Sequence, residues 1–371
     1  MSEPRPTELP LDQPAEVREE ERIDPSRIEP FLRRALPEMA GPVSVLQFPK
    51  GHSNLTYLLR VGDREVVLRR APFGVKVKSA HDMKREYDIL SALKGVYGRA
   101  PKPIAFCDDD SLIGAKFYLM ERVRGVILRG DKPPPGISFT PELLRRTSTA
   151  LIDNLADLHA VDVSRPPLST IGKPQGYVMR QVTGWTERYF NAKTDEIPGV
   201  EQAAAWLARN MPKESGATVI HNDYKYDNVM LDPSDITRIV AVLDWEMATV
   251  GDPLMDLGSF IGYWGDPDDP QELRTRAYGP TYLPGSLSRL QIVERYAVKS
   301  GRAVGSILFY YVFALFKIAV IVQQIYKRWV EGKTRDPRFA SLIGWVRVMA
   351  HQAERALDKG RIDRLGARGD A

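Results

Sequence analysis

Thr218-Val219-Ile220-His221-Asn222-Asp223-Tyr224-Lys225-Tyr226-Asp227-Asn228, followed at hairpin distance by Ile239-Val240-Ala241-Val242-Leu243-Asp244-Trp245-Glu246, decides how this chain is read. An apolar strand runs straight into the spacing H-x-D-x-x-x-x-N, and a second apolar strand delivers an acid at its end. One alternative is a loop with turn-forming acids and a core histidine, since Asp, Asn and Tyr between apolar strands are ordinary turn chemistry. The pairing supplies more than a turn needs. A carboxylate, an amide and a second carboxylate are what phosphoryl transfer from a nucleotide requires. One carboxylate orients and deprotonates a hydroxyl, and the other two groups hold Mg²⁺.

Upstream, short β runs are expected at 43–48, 55–60 and 65–70, with Gly62-Asp63 as a turn. Between the first two lies Lys50-Gly51-His52-Ser53-Asn54, a small polar turn that could lay backbone N–H groups over phosphates. Gly51, Ser53 and Asn54 are therefore candidate nucleotide contacts, with an ordinary hairpin turn as the alternative. The spacing of Met83, Glu86, Leu90 and Leu93 predicts a helix over 79–94 with Glu86 on its buried face. A carboxylate there wants a cationic partner, because burying it alone is expensive. Arg69, in Val67-Leu68-Arg69-Arg70, stands where kinases place a strand lysine paired to a helix glutamate. The rival is Glu86 reaching the surface beside Arg85. Two more strands are expected at 101–106 and 116–121. Glu121 and Val123, where that edge leaves the small lobe, are positions that could offer backbone groups to an adenine.

The remainder reads as helices at 141–160, 177–190, 200–211, 253–263, 287–300, 303–330 and 337–359. Residues 1–24 are Pro- and Glu-rich and read as a flexible leader, and the polar tail from 361 as frayed. At 371 residues the chain exceeds the usual size of one domain. Its net charge of +4 is modest for that length and gives no footprint for nucleic acid. The single cysteine, Cys107, rules out an internal disulfide and suits a cytoplasmic setting. Histidines 52, 81, 159, 221 and 351 show no short metal-ligand spacing. Residues 303–323 are apolar enough for a membrane span, but Ser306, Lys317 and the terminal glutamines suit a buried helix, so no stable insertion is expected.

Together these residues resemble the aminoglycoside phosphotransferase superfamily. Gly51 to Tyr57 (G-x-S-N-x-T-Y), Val67 to Arg69, Ala80 to Tyr87 and the D-W-E at Asp244 look most like the phosphotransferase domains fused to some acyl-CoA dehydrogenases and their free-standing relatives. The resemblance implies an α+β, two-lobed protein-kinase-like fold. A small β-rich lobe (25–123) would bind the nucleotide, and a larger, mainly helical lobe (124–360) would carry catalysis and the acceptor. It further implies ATP and Mg²⁺ as cofactors, Asp223 as catalytic base, Asn228 and Asp244 as metal ligands, and His221 as support for the loop. Lys225 matches a position where protein kinases keep a lysine facing the transferring phosphate. Asp256 looks like a brace for the catalytic loop, although a helix N-terminal acid favoured by the dipole explains Asp252 and Asp256 equally. Two departures stand out: arginine replaces the strand lysine, and the phosphate loop holds one glycine.

The expected reaction is phosphorylation of a small-molecule hydroxyl. A catalytically silent nucleotide-binding scaffold is the rival from another class, yet Asp223, Asn228 and Asp244 are all present. A protein kinase is disfavoured, because Gly251-Asp252-Pro253-Leu254-Met255-Asp256 follows Asp244 within a few residues and leaves little room for an activation loop. Residues 259–371 carry 18 Lys and Arg against 11 Asp and Glu. An aminoglycoside kinase should show the opposite balance, because its acceptor is a polycation. The expected acceptor is neutral or anionic, of hydroxyacyl or hydroxy-acid type.

Overall fold

The computed structural model describes residues 12–49, 54–72, 82–334 and 336–366. Gly51, Ser53 and the start of the expected helix at 79–81 lie outside the described residues. In chain order the helices are α1 (Pro25–Ala35), α2 (Met83–Leu93), α3 (Pro141–His159), α4 (Tyr177–Ala192), α5 (Pro198–Arg209), α6 (Pro253–Gly262), α7 (Gln271–Arg274), α8 (Arg289–Ser300), α9 (Ile307–Val330) and α10 (Leu342–Lys359). The strands are β1 (Val43–Gln47), β2 (Leu55–Val61), β3 (Arg64–Arg70), β4 (Pro103–Cys107), β5 (Phe117–Glu121), β6 (Thr218–Ile220), β7 (Val229–Leu231), β8 (Ile239–Val242) and β9 (Thr249–Gly251). The chain divides into two compact units. The first runs to Ile127 and adds Pro134–Ile137 and Asn228–Ala248; the second takes Leu128–Pro133, Ser138–Asp227 and everything from Thr249.

The first unit is built on an antiparallel five-stranded sheet in the order β1-β2-β3-β5-β4. Alternation along β3 sends Leu68 into a core with Ile28, Leu32, Tyr57, Leu59, Phe117 and Leu119. It sends Arg69 to the opposite face, in register with Tyr118 of β5. α2 starts at Asp82, whose carboxylate accepts hydrogen bonds from the N–H groups of Lys84 and Arg85, an N-cap arrangement. Two features differ from the sequence expectation. Residues 12–24 are not a loose leader: Ala15 pairs with Gln47 through two backbone hydrogen bonds of 2.7 and 2.9 Å, and Ile23 is buried. The β7–β8 hairpin belongs to this unit and not to the helical one. It is held by a bridge between Val126 and Leu231 and by the Val242 N–H donating to the Arg99 carbonyl at 2.7 Å.

The second unit is helical around α9, whose residues from Phe309 to Val320 are buried against α4, α5, α6 and α10. By length and composition α9 could cross a bilayer, and 72% of its most apolar window is buried inside the protein. Contact with α6 is close because Gly258 and Gly262 recur on one helix face. A Cβ on Gly258 would fall 2.6 Å from the Tyr310 carbonyl oxygen, and one on Gly262 would fall 2.6 Å from the Ala314 Cβ. The expected helix at 337–359 begins as a 3-10 turn, Pro337–Ser341, before α10. The tail is held through 366, with Ile362 and Leu365 buried and the Arg289 Nε donating to the Ile362 carbonyl at 2.7 Å.

Gly258→Ala is expected to destabilise the protein by about 1–3 kcal/mol through overpacking against α9. The check is a lower urea midpoint with an unchanged slope. An unchanged midpoint would contradict the close α6–α9 approach.

Candidate active site

The segment from His221 to Asp227 lies in the helical unit, and its shape is set by one buried carboxylate. Asp256, in the first turn of α6, accepts the His221 N–H at 2.6 Å and the Asn222 N–H at 2.7 Å. His159 Nε2 lies 3.2 Å from the same carboxylate, and His159 Nδ1 lies 2.7 Å from the Tyr296 hydroxyl. Burial pushes the Asp256 carboxyl up, but the hydrogen bond and charge of His159, with the contribution of His221, bring it below its ordinary value. Asp256 is thus a brace for the loop, beyond any favourable placement near a helix dipole. Asp252, also read as a helix acid, caps α6 through Leu254 N–H and accepts from the Ser215 N–H and hydroxyl at 2.6 and 2.7 Å.

This brace holds Asn222 in the left-handed region at φ 66, one of the conformations asparagine tolerates better than most residues. The turn brings Asp223 round with its side chain 16% exposed. Its N–H donates to His221 Nδ1 at 3.3 Å, which gives the buried histidine the supporting role expected of it. Both Asp223 oxygens accept from Lys225 Nζ at 2.6 Å, and that ammonium sits over the rings of Tyr263 and Tyr278 at 4.7 and 5.0 Å. Burial first, and then the Asp223 charge, push the Tyr263 hydroxyl well up. Tyr224 locks the far side, its hydroxyl donating to the Leu151 carbonyl and accepting from Asn154.

The other half of the motif lies in the first unit. Val229 pairs with Val242, and the Leu243 N–H donates to the Asn228 carbonyl at 2.8 Å, which puts Asn228 and Asp244 at the same end of the β7–β8 hairpin. Asp244 also adopts a left-handed backbone, φ 67. Arg69 joins the carboxylates: its NH2 donates to Asp244 at 2.8 Å, and its Nε lies 3.3 Å from Glu86. Glu86 is 1% exposed, so it is a buried ion-pair partner and not a surface residue. Burial raises its carboxyl above the ordinary value despite the opposing charge of Arg69. The second Glu86 oxygen accepts the Trp245 N–H at 3.2 Å. Arg85 donates to the Glu246 and Ala248 carbonyls, and Asn54 Nδ2 donates to the Glu246 carboxylate at 2.7 Å. Asn54, expected at a phosphate loop, ties the start of β2 to D-W-E.

The remaining candidates are local. The Glu121 carboxylate accepts the Lys102 N–H at 3.0 Å. Val123 joins a small apolar cluster of Ile127, Met230, Ala241, Val240 and Leu243. Gly125 permits this packing, since a Cβ there would fall 2.6 Å from the Leu231 carbonyl oxygen. Among the described residues, no three His, Cys, Asp or Glu side chains cluster as a metal cage. An amide and a carboxylate at one hairpin end are oxygen donors that suit a hard cation completing its shell with water and phosphate oxygens. Sequence reasoning gave no role of their own to Glu246 or Arg85. The D-W-E spelling was the signal available for the first.

A profile of the phosphotransferase enzyme family matches residues 44–289. Acyl-CoA dehydrogenase family member 10 from Mus musculus is 34% identical over 85% of the chain, and member 11 from Homo sapiens is 33% identical over 86%. The chain spans 30% and 41% of those two proteins, so the similar segment is one part of each. A crystal structure from Ralstonia eutropha JMP134, of a protein assigned to the aminoglycoside phosphotransferases, is 32% identical. Its TM-score is 0.77 over 91% of this chain and 99% of that one. Choline kinase from Cryptosporidium parvum shares the fold at 14% identity, with TM-score 0.63 over 92% of this chain and 98% of that one.

Arg69 and Asp244 are expected to act as one unit. A double-mutant cycle with Arg69→Met and Asp244→Asn, read on nucleotide affinity, should show coupling of about 1 kcal/mol or more. Additive losses would mean that the ion pair does not contribute.

Proposed function

The chain belongs to the phosphotransferase enzyme family, and from that membership we propose that it is a small-molecule kinase, transferring the γ-phosphoryl group of ATP to a hydroxyl in the presence of Mg²⁺. The observation that carries this reading is the braced loop. Asp223 is fixed by the Asp256 contacts to the backbone just before it, yet keeps part of its carboxylate exposed. A general base needs that combination of fixed orientation and access.

In the reaction, Asp223 orients the acceptor hydroxyl and accepts its proton as the oxygen attacks the γ-phosphorus. Lys225, now paired to Asp223, offsets negative charge on the transferring group. Asn228 and Asp244 would hold Mg²⁺, which when bound would neutralise phosphate charge. Arg69, positioned by Glu86, supplies a further positive charge to the nucleotide phosphates, and the apolar cluster around Val123 and Met230 offers a surface for the base. No covalent enzyme intermediate is required; catalysis comes from positioning and electrostatics. Nucleotide use is supported by the fold shared with a phosphotransferase crystallised as a ternary complex with ADP and hygromycin B, at TM-score 0.57 and 17% identity. The names of the longer relatives refer to acyl-CoA dehydrogenation, which favours a hydroxyacyl or hydroxy-acid acceptor over an aminoglycoside.

Asp223→Asn should lower turnover by about a hundredfold or more while leaving ATP binding near wild type, the usual scale for losing a general base. Near wild-type turnover would remove Asp223 from the mechanism. Asn228→Ala and Asp244→Ala should each raise the Mg²⁺ concentration that half-saturates activity, since each loses an oxygen ligand. Superimposable Mg²⁺ titrations for all three proteins would contradict the assignment.

A further inference from the structure

α9 is apolar from Phe309 to Val322 except at one position, Lys317. That lysine is 5% exposed, and among the described residues its one hydrogen-bond partner is the Asn222 carbonyl oxygen, 3.0 Å from Nζ. No carboxylate among the described residues lies within ion-pair distance of it. The acids whose charge acts on it are committed elsewhere: Asp223 to Lys225, and Asp256 to two backbone N–H groups and His159. A second cation of the same unit, Arg188 on α4, is in the same position. Its guanidinium lies over the Trp185 ring at 4.6 Å with no acid paired to it among the described residues. Lys317 Nζ lies 5.9 Å from the centroid of that same indole. Two cations with no acid partner therefore share one aromatic ring, and one of them is bonded to the residue preceding Asp223.

A buried ammonium with a single neutral partner is unfavourable, and a methionine would fill the same place in an apolar helix without that penalty. Retaining the charge makes sense if something anionic arrives. We propose that Lys317 and Arg188, flanking Trp185, form a recognition site for a carboxylate or phosphate group on the acceptor, held so that the acceptor hydroxyl faces Asp223. This rests on the kinase reading of Asp223 but assigns residues that reading does not use. It also gives the acceptor a sign: a polycation would meet two positive charges without compensating acids. Burial lowers the Lys317 ammonium to about 8, opposed by Asp223 and Asp256 and assisted by Lys225 and Arg188, so the site is charged at neutral pH and loses its charge above that value.

The test is calorimetric binding without nucleotide, using matched probes: hydroxybutyrate against butanediol, and glycerol phosphate against glycerol. One of the two anions is expected to bind wild type at least about tenfold more tightly than its neutral partner, and which one does so separates carboxylate from phosphate recognition. That affinity should fall as the pH rises through about 8. Lys317→Met should abolish both the preference and its alkaline loss. Arg188→Ala, at an exposed position where misfolding is not a concern, should weaken the same anion by several-fold. Equal binding of charged and neutral probes to wild type, or an undiminished preference in both variants, would overturn the proposal. ATP–Mg²⁺ binding, measured on the same preparations, is an independent readout. Its absence alongside anion binding would sink the kinase reading and leave this site standing.

Discussion

Two consecutive backbone N–H groups captured by one buried carboxylate set the conformation on which the rest of the candidate site depends. Without Asp256, the His221 and Asn222 amides would be buried donors with no acceptor, at a penalty of about 1–3 kcal/mol each. With it, the chain is committed to the left-handed turn at Asn222 that swings Asp223 toward solvent. The carboxylate is itself over-determined by His159, which is tied to Tyr296 on α8. Three separate chain segments thus converge on the orientation of one loop. Strain at a functional residue persists where the surroundings specify it this strongly.

The first unit solves a similar problem with a shared cation. Asp244 ends its strand in a left-handed conformation, and Arg69 bonds to it while facing the buried Glu86. The planar guanidinium presents several donors in fixed directions, so one side chain can serve two acids, a task less suited to the compact ammonium of the lysine found in related kinases. Arginine at this position is therefore a workable replacement. Asn54 and Arg85 add a second tier by fixing Glu246 and its carbonyl. D-W-E is consequently held through its backbone and side chains alike, and Trp245, 1% exposed, anchors it in the core.

Much of this was legible in the sequence because it rests on short-range pattern. Period-two runs marked β1 to β5, and the 3-4-3 spacing of Met83, Glu86, Leu90 and Leu93 put Glu86 on the buried face where the structure has it. Helix ends moved by a few residues, as at α2, whose first turn is set by the Asp82 cap. What escaped was long-range. Nothing local says that residues 12–24 pair with β1, or that the β7–β8 hairpin joins the first unit through Val126 and Arg99. The bracing role of Asp256 was implied by the resemblance, while the residues alone left it open, because a first-turn acid satisfies the helix dipole and a loop brace equally. Lys317 was noticed as an interruption of an apolar run, but its meaning came from Asn222, Trp185 and Arg188, which approach from distant segments.

Transfer of a phosphoryl group to a hydroxyl is the central event, and mass spectrometry of the products observes it directly. The 371-residue protein incubated with Mg²⁺ and ATP labelled with ¹⁸O in the γ-phosphoryl group, together with a panel of hydroxy acids and hydroxyacyl thioesters, should yield a labelled phosphate monoester of at least one acceptor. The ester should carry the γ-phosphoryl oxygens and appear in step with ADP. Appearance of the label only in inorganic phosphate, at a rate indifferent to every acceptor, would contradict the account.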